Sequence, residues 1–222
     1  MPVYLPIIVV LAVLVPLLVY FEIKKQKKWI YVLKPICTVL IITAALLSLT
    51  LPGHVRIYTL SIVLGLLLSL VGDISLMFQE HKKPFMVGLV FFLLAHVVYG
   101  IVFLKFAGIT SSCYVFGAIF LALGVAIYIF FYPGLGTMKG PVAAYILIIT
   151  FMVTSAGSTL SASSFPRPAA ILVTIGGILF WFSDVILATN RFRIPMKYNR
   201  LSLIPYFTGQ LLIALSTHLF GS

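Results

Sequence analysis

The sequence predicts an all-α protein, a polytopic membrane helical bundle with about eight transmembrane helices, and three observations support this prediction. First, 62% of the 222 residues are hydrophobic and only 9% are charged, a composition typical of membrane proteins. Second, a spanning helix needs ~20 mostly apolar residues, and eight such runs occur, at residues 2–21, 30–50, 57–78, 85–106, 111–132, 141–162, 169–189 and 201–220. Third, the connections are short, so we expect residues 1–222 to form a single integral membrane domain.

Each run has its own justification. The first, from Pro2 to Phe21, has no basic leader and no small-residue cleavage site, so we expect a retained helix rather than a removed signal peptide. The second carries a lysine near one end, and the third and seventh each carry one aspartate. The fourth and eighth carry spaced polar residues. The fifth and sixth are predicted from apolar length alone.

The 15 Lys and Arg residues, which give a net charge of +11, are distributed unevenly between alternate connections. One set contains Lys24, Lys25, Lys27, Lys28, Lys82, Lys83, Lys139, Arg191, Arg193, Lys197 and Arg200, with Lys34 nearby, whereas the other contains Arg56, Lys105 and Arg167. By the positive-inside rule the first set is cytoplasmic, which places both termini on the non-cytoplasmic side. This placement indicates a membrane orientation beside anionic lipid headgroups, and no nucleic-acid partner is expected.

Two of the four acidic residues are predicted to lie at membrane depth. Glu22 and Glu80 fall at helix ends, whereas Asp73 and Asp184 each lie about five residues before a cytoplasmic helix end, roughly 7–8 Å below the surface. An ionised carboxylate costs ~2.5–3.5 kcal/mol at the bilayer centre and somewhat less at this depth. We therefore expect these two aspartates to mark the working site, although a structural pair joining two helices is the alternative.

Further polar residues are expected to face the interior of the bundle. His96 and Tyr99 share a face of the fourth helix, and Tyr206 and Gln210 share a face of the eighth. Lys34 is predicted at nearly the depth of the aspartates, where it could pair with one of them, meet a phosphate or extend to the interface. No metal is expected, because the four histidines lie at different depths and no three can converge.

A faint internal repeat appears when the sequence is shifted by 111 residues. The shift aligns Gly65, Gly72, Asp73 and Leu76 with Gly176, Ser183, Asp184 and Leu187. It would relate the third helix to the seventh as a parallel repeat. The rest of the two halves matches poorly, so chance and duplication both stay open.

Five stretches of the sequence carry a family resemblance. They are Leu33-Lys34-Pro35; Ser69-Leu70-Val71-Gly72-Asp73; Gly88 with Ala95-His96-Val97-Val98-Tyr99; Phe182-Ser183-Asp184 continuing through Leu187-Ala188 to Asn190-Arg191-Phe192; and Tyr206 with Gln210-Leu211-Leu212. In this order they resemble the YhhN-like lysoplasmalogenases, a family of eight-helix membrane proteins of bacteria and animals.

The resemblance implies hydrolysis of the vinyl ether bond of lysoplasmalogens. Lysoplasmenylcholine or lysoplasmenylethanolamine would give a fatty aldehyde and glycerophosphocholine or glycerophosphoethanolamine, without a cofactor. Asp73 and Asp184 would be catalytic, and the substrate-binding residues would be Lys34, His96, Tyr99, Asn190, Tyr206 and Gln210. The partners would be the lysophospholipid and membrane lipids, with a homo-oligomer left open. The membrane would be the endoplasmic reticulum in a eukaryote and the cytoplasmic membrane in a bacterium.

The residue types suit this reaction. A vinyl ether hydrolyses by protonation at carbon, and water captures the resulting oxocarbenium ion. Such a site needs one protonated acid and a second carboxylate, as glycosidases do. The aspartates alone leave another class open, a small proton- or cation-coupled transporter. The repeat favours that transporter slightly, whereas the absence of glycine- or proline-broken helices around the aspartates, together with the resemblance, favours the enzyme.

Overall fold

The computed structural model describes residues 3–196 and 199–220, so Pro2 and Lys197 lie outside the described residues. Within these ranges the chain forms eight α-helices and no strand, which confirms the predicted all-α class. The helices are α1 (Leu5–Ile23), α2 (Lys27–Leu47), α3 (Arg56–Leu76), α4 (Lys82–Ala107), α5 (Ser111–Phe131), α6 (Lys139–Ser158), α7 (Arg167–Phe192) and α8 (Leu203–Leu219).

The helices have the length and composition of a multi-pass membrane protein. In the described part of the chain, α1 to α7 are each long enough and apolar enough to cross a membrane. Helix α8 has 17 residues, or about 25 Å of helix. It follows a short 3₁₀ turn, Asn199–Ser202. The number of crossings and the side on which the termini lie stay predictions.

Several helices extend beyond their apolar runs. Helix α2 begins at Lys27, so Pro35 lies inside it, and α7 continues to Phe192. The apolar run marks only the part suited to hydrocarbon, whereas the helix continues where polar side chains can reach water. As a result Asp73 precedes the last residue of α3 by three positions, but Asp184 precedes the last residue of α7 by eight.

Six helices form a ring by their contacts. In order around the ring they are α2, α3, α4, α6, α7 and α8, and α8 closes against α2. Helix α1 packs outside α2 and α8, and α5 packs outside α6. The first four helices and the last four therefore follow the same pattern of neighbours, with α3 on α4 corresponding to α7 on α8. This common pattern supports the parallel repeat over chance.

Side-chain contacts join the connections at one end of the ring, which we call the basic end. Lys27 pairs with Glu80 at 3.3 Å, and Arg200 pairs with Glu22 at 3.3 Å. These contacts link the end of α1 and the start of α2 to the connections after α7 and α3, respectively. At the opposite end hydroxyl groups join the helices, for example Tyr58 and Ser216 at 2.7 Å.

Two glycines allow α7 and α8 to pack backbone against backbone. A Cβ added at Gly209 would lie 2.7 Å from the carbonyl oxygen of Gly176 and 3.1 Å from the backbone nitrogen of Phe180. A Cβ at Gly176 would lie 2.8 Å from the carbonyl oxygen of Gly209. Because these obstacles are backbone atoms, no side-chain rotation can relieve the clash, and the two helices would have to separate.

Gly209→Ala should therefore destabilise the protein, although alanine has a higher helix propensity than glycine. Forcing an extra carbon into a closed contact costs about 1–3 kcal/mol, so the midpoint of thermal unfolding in detergent should fall. Gly140→Ala is the matched control, because a Cβ there meets no described atom within 4 Å, and it should leave the midpoint unchanged or slightly higher. Equal midpoints for the two variants would contradict the backbone contact.

Candidate active site

A cavity at the basic end is lined by both Asp73 and Asp184. It is lined from α2 to α8 mainly by apolar side chains, including Leu76, Phe92, Ile127, Ile146 and Trp181. Its charged and hydrogen-bonding lining residues include Lys34, Asp73, Gln79, Tyr145, Asp184, Arg191, Arg200 and Tyr206. The structure thus brings Asp73 and Asp184 to one cavity, together with Lys34 and Tyr206 from the sequence analysis.

The carboxylate of Asp73 is surrounded by donors. Asp73 is only 1% exposed. The Thr38 hydroxyl donates to Oδ2 at 2.7 Å, and the Tyr206 hydroxyl donates to the same oxygen at 2.6 Å. The Lys34 ammonium lies 3.3 Å from Oδ1 and also donates to the Asp73 backbone carbonyl at 3.3 Å. One cation and two hydroxyls therefore stabilise a negative charge on this carboxylate.

These donors come from two neighbouring helices, α2 and α8. Lys34 and Thr38 are one turn apart on α2, so both can face the same aspartate. Tyr206 belongs to α8, which contacts both α2 and α3. Hydrogen bonds to Asp73 thus hold three helices together at the basic end.

The surroundings of Asp184 are different. The Tyr145 hydroxyl donates to its Oδ2 at 2.7 Å, and Nε2 of His96 lies 3.8 Å from that oxygen. The Asp184 side chain is 16% exposed, whereas that of Asp73 is 1% exposed. No lysine or arginine pairs with Asp184 within the described residues, so this carboxyl group has weaker support for a negative charge than Asp73 has.

His96 is fully buried beside Asp184. Its ring packs edge-on against Phe180 at 4.5 Å and Tyr145 at 5.5 Å between centroids. Neither ring nitrogen has a hydrogen-bond partner among the described residues. Burying a polar atom without a hydrogen-bond partner is unfavourable. The carboxylate oxygen Oδ2 of Asp184 lies 3.8 Å from Nε2, beyond hydrogen-bonding distance.

A chain of hydrogen bonds lies behind Asp73. Tyr99 donates to Oε1 of Gln210 at 2.9 Å, and Nε2 of Gln210 approaches the Tyr206 hydroxyl at 3.4 Å. All three side chains are buried. Tyr99 and Gln210 are not among the residues that line the cavity, and their hydrogen bonds lead to Asp73 through Tyr206.

Aromatic rings occupy the space between the two sets of contacts. The Phe180 ring lies 5.2 Å from Tyr206, the partner of Asp73, and 4.5 Å from His96, the neighbour of Asp184. Phe92 packs against Phe180 at 6.0 Å and against Tyr206 at 5.8 Å. The two carboxyl groups thus have separate polar surroundings on one apolar cavity.

Basic residues line the cavity towards the connection after α7. The Arg191 guanidinium lies over the Phe85 ring at 4.7 Å. Arg200 pairs with Glu22, and the Gln79 amide, oriented to satisfy both groups, accepts from Nη1 of Arg200 at 2.7 Å. Asn190 is not among the residues that line the cavity. Its Oδ1 accepts a hydrogen bond from the backbone nitrogen of Met196 at 2.9 Å.

Sequence reasoning missed two direct partners of the aspartates, Thr38 and Tyr145. A tyrosine near a helix end is ordinary in membrane proteins, where aromatic residues collect at the interface. The internal repeat contained a signal for Tyr145, since a shift of 111 residues aligns Lys34 with Tyr145 just as it aligns Asp73 with Asp184. Lys34 contacts Asp73, and Tyr145 contacts Asp184.

The arrangement is suited to proton transfer by side chains. One carboxylate is paired with a cation, and the other carboxyl group is supported by a phenol and an imidazole. Different surroundings allow two carboxyl groups to hold different protonation states, which acid–base chemistry requires. Across the described ranges, no three His, Cys, Asp or Glu side chains are grouped so as to hold a metal ion.

Comparisons with known proteins agree with the resemblance noted in the sequence. The chain is 32% identical over 173 residues to lysoplasmalogenase TMEM86A of Bos taurus, across 76% of this chain and 67% of that protein. It is 31% identical over 169 residues to the Homo sapiens lysoplasmalogenase TMEM86A, across 74% of this chain and 66% of that protein. The alignments thus cover about two thirds of these relatives. No solved structure matches the chain. Residues 29–217 match the YhhN family, and the chain belongs to that family.

Proposed function

We propose that this protein hydrolyses the vinyl ether bond of lysoplasmalogens, giving a fatty aldehyde and a glycerophospho-alcohol. The observation that carries the proposal is a pair of aspartates with different polar partners in one apolar cavity. The name of the two mammalian relatives, lysoplasmalogenase, supports the same reaction. An apolar cavity with a few convergent polar groups is a typical binding site for a small lipid.

Asp184 is the general acid in this proposal. Its protonated carboxyl group donates a proton to the vinyl carbon remote from oxygen, which leaves an oxocarbenium ion and an Asp184 carboxylate. Tyr145 donates to that carboxylate at 2.7 Å, so its hydrogen bond strengthens as negative charge develops. Such a bond lowers the barrier, because it is stronger in the transition state than in the ground state.

Asp73 supplies the permanent negative charge. Lys34, Thr38 and Tyr206 hold it ionised, and it faces the cavity, where it stabilises the positive charge of the oxocarbenium ion. Water then adds to the carbon bearing oxygen and gives its proton to Asp184, which restores the acid. The resulting hemiacetal breaks into the aldehyde and the free glycerol hydroxyl, so the net reaction consumes one water molecule.

The substrate has a defined direction in the proposed complex. Its phosphate lies at the basic end near Arg191 and Arg200, and its hydrocarbon chain lies against apolar lining residues such as Ile127 and Ile146. The sequence left three roles open for Lys34: pairing with an aspartate, meeting the phosphate or extending to the interface. Because two of its contacts are to Asp73, we now propose that it chiefly holds that carboxylate, with phosphate contact a secondary role.

We further propose eight crossings, with the basic end in the cytoplasm and both termini on the other side. The excess of Lys and Arg at this end supports that orientation. The membrane would be the endoplasmic reticulum in a eukaryotic cell and the cytoplasmic membrane in a bacterium.

The direct test is to incubate the purified protein in detergent with a lysoplasmalogen and measure the release of fatty aldehyde. The same lipid with a saturated ether bond is the matched substrate control and should release none. Aldehyde formation in detergent also separates an enzyme from a transporter, because a carrier acts only across a sealed membrane. Absence of aldehyde from folded protein would refute the proposed activity.

Asp73→Asn and Asp184→Asn should each lower turnover by ~10²–10⁴-fold, the usual contribution of general acid–base catalysis. Residues that act as a unit lose activity non-additively, so the double variant should be little worse than the poorer single one. Glu80→Gln is the control, since Glu80 forms an exposed pair with Lys27. A folded Asp184→Asn protein with near wild-type turnover would rule out this acid.

Tyr145→Phe should lower kcat by about tenfold to a hundredfold with little change in KM. The substitution keeps the ring but removes the hydroxyl bonded to Asp184, and a hydrogen bond to a charged group contributes ~1.5–3 kcal/mol. Tyr128→Phe is the matched control, because that hydroxyl donates to the Lys139 carbonyl at 3.4 Å on the exposed side. A pure rise in KM for Tyr145→Phe would assign the tyrosine to substrate binding instead.

Lys34→Met should lower both stability and kcat, because it leaves the buried Asp73 without its cation. Removing one partner of a buried ion pair costs ~3–5 kcal/mol, measured as the free energy of unfolding in detergent. Adding Asp73→Asn to Lys34→Met should restore part of the stability while activity stays low. A higher KM with unchanged stability and kcat would instead assign Lys34 mainly to the phosphate.

A further inference from the structure

His96 is a fully buried histidine of α4 to which the proposed catalysis gives no role. It is not among the residues that line the cavity, so it is not placed to touch the substrate. Neither ring nitrogen has a hydrogen-bond partner among the described residues. Because burying polar atoms without partners is unfavourable, an apolar side chain of similar volume would suit the fold better at this position. A need for an N–H group during the reaction would explain the histidine.

We propose that His96 is a positioning residue, which donates a hydrogen bond from Nε2 to Asp184 as this carboxyl group gives up its proton. The inference rests on the proposed function and deepens it, because it assigns a second donor to the negative charge that forms on the acid. The proton of Asp184 goes to the vinyl carbon, and the imidazole keeps its own hydrogen throughout. The balance of the proposed reaction is therefore unchanged.

Both contacts that the structure gives the Asp184 carboxyl group are to one oxygen, Oδ2. The Tyr145 hydroxyl donates to this oxygen at 2.7 Å, and Nε2 of His96 lies 3.8 Å from it. In the proposal the other oxygen, Oδ1, carries the proton that is transferred. Once that proton leaves, negative charge spreads to Oδ2, and a carboxylate oxygen can accept two hydrogen bonds. Oδ2 can then hold Tyr145 and His96 together.

The distance between Nε2 and Oδ2 must shorten by about 1 Å, since N–H···O hydrogen bonds measure ~2.7–3.2 Å. The His96 ring is packed edge-on against Phe180 and Tyr145, whereas the Asp184 side chain is 16% exposed and lines the cavity. A small rotation of the aspartate therefore closes the gap. Hydrogen bonds of this kind often tighten only in the transition state. A bond that forms only there lowers the barrier.

The other aspartate has two such donors in place already. Oδ2 of Asp73 accepts from the Thr38 hydroxyl at 2.7 Å and from the Tyr206 hydroxyl at 2.6 Å. Oδ2 of Asp184 has one hydroxyl at this distance and the imidazole nitrogen further away. The difference suits an acid that must keep its proton before the reaction and lose it during the reaction.

The first test compares three substitutions of His96. Leucine has nearly the volume of histidine and no N–H group, so His96→Leu should lower kcat by about tenfold to a hundredfold, the size of one hydrogen bond to a charged group. KM and the midpoint of thermal unfolding should change little. His96→Gln places an amide N–H close to the position of Nε2 and should keep most of kcat. His96→Asn is too short to reach Oδ2 and should behave like His96→Leu.

His81→Gln is the matched control. His81 is exposed directly before α4, and its side chain makes no capping hydrogen bond. This substitution should leave kcat, KM and the unfolding midpoint unchanged.

A binding measurement tests the same hydrogen bond without hydrolysis. A single-chain phospholipid with a secondary ammonium in place of the ether oxygen carries a positive charge where the oxocarbenium ion would form. Binding of this cation favours the ionised form of Asp184, so His96→Leu should weaken it by about tenfold or more in detergent. The same lipid with a saturated ether bond carries no charge at this position and should bind the wild-type and variant proteins equally.

Unchanged kcat in a folded His96→Leu protein would overturn the inference, and so would equal losses in His96→Leu and His96→Gln. Equal weakening of the ammonium and ether lipids would mean that His96 only shapes the cavity, which would overturn it too. Failure of the wild-type protein to release aldehyde, with the ammonium lipid alone weakened by His96→Leu, would refute the proposed reaction and leave the hydrogen bond to Asp184 standing.

Discussion

The buried ion pair between Lys34 and Asp73 is the interaction on which the arrangement of the basic end depends. Both side chains are almost inaccessible to water, so each charge is tolerable only while the other is present. Their pairing draws α2 against α3, and Tyr206 brings α8 to the same carboxylate. The helices that close the ring thus meet at one negative charge, and that charge also faces the cavity.

Two ionised carboxyl groups in one apolar cavity would ordinarily repel each other. The side chains around each of them reduce this repulsion. Asp73 is matched by a cation, so the charge that it presents to Asp184 is largely balanced. Phe92 and Phe180 fill the space between their polar partners. In the proposed reaction this separation allows one carboxyl group to hold a proton while the other stays ionised.

Helices were predictable from sequence because hydrocarbon solvent imposes long apolar runs, and all eight runs correspond to helices of the described chain. The sequence also singled out Asp73 and Asp184, because acids are rare inside long apolar runs, and both line one cavity; their catalytic role stays a prediction. Two of their partners were not predicted. Thr38 and Tyr145 are common in membrane helices, and only the packing of α2 on α3 and of α6 on α7 makes them ligands of a carboxylate. The role of Asn190 at the substrate stays a prediction from the resemblance, and its amide oxygen accepts a hydrogen bond from the backbone of the next connection.

The two halves of the chain have matching patterns of helix neighbours, and yet the surroundings of their two aspartates differ. If four such helices paired with an identical copy, every residue would occur twice, and both aspartates would have the same partner. A single chain removes that restriction: the position that holds lysine beside Asp73 holds tyrosine beside Asp184. Covalent linkage of the halves is therefore what permits two equivalent acids to become chemically distinct.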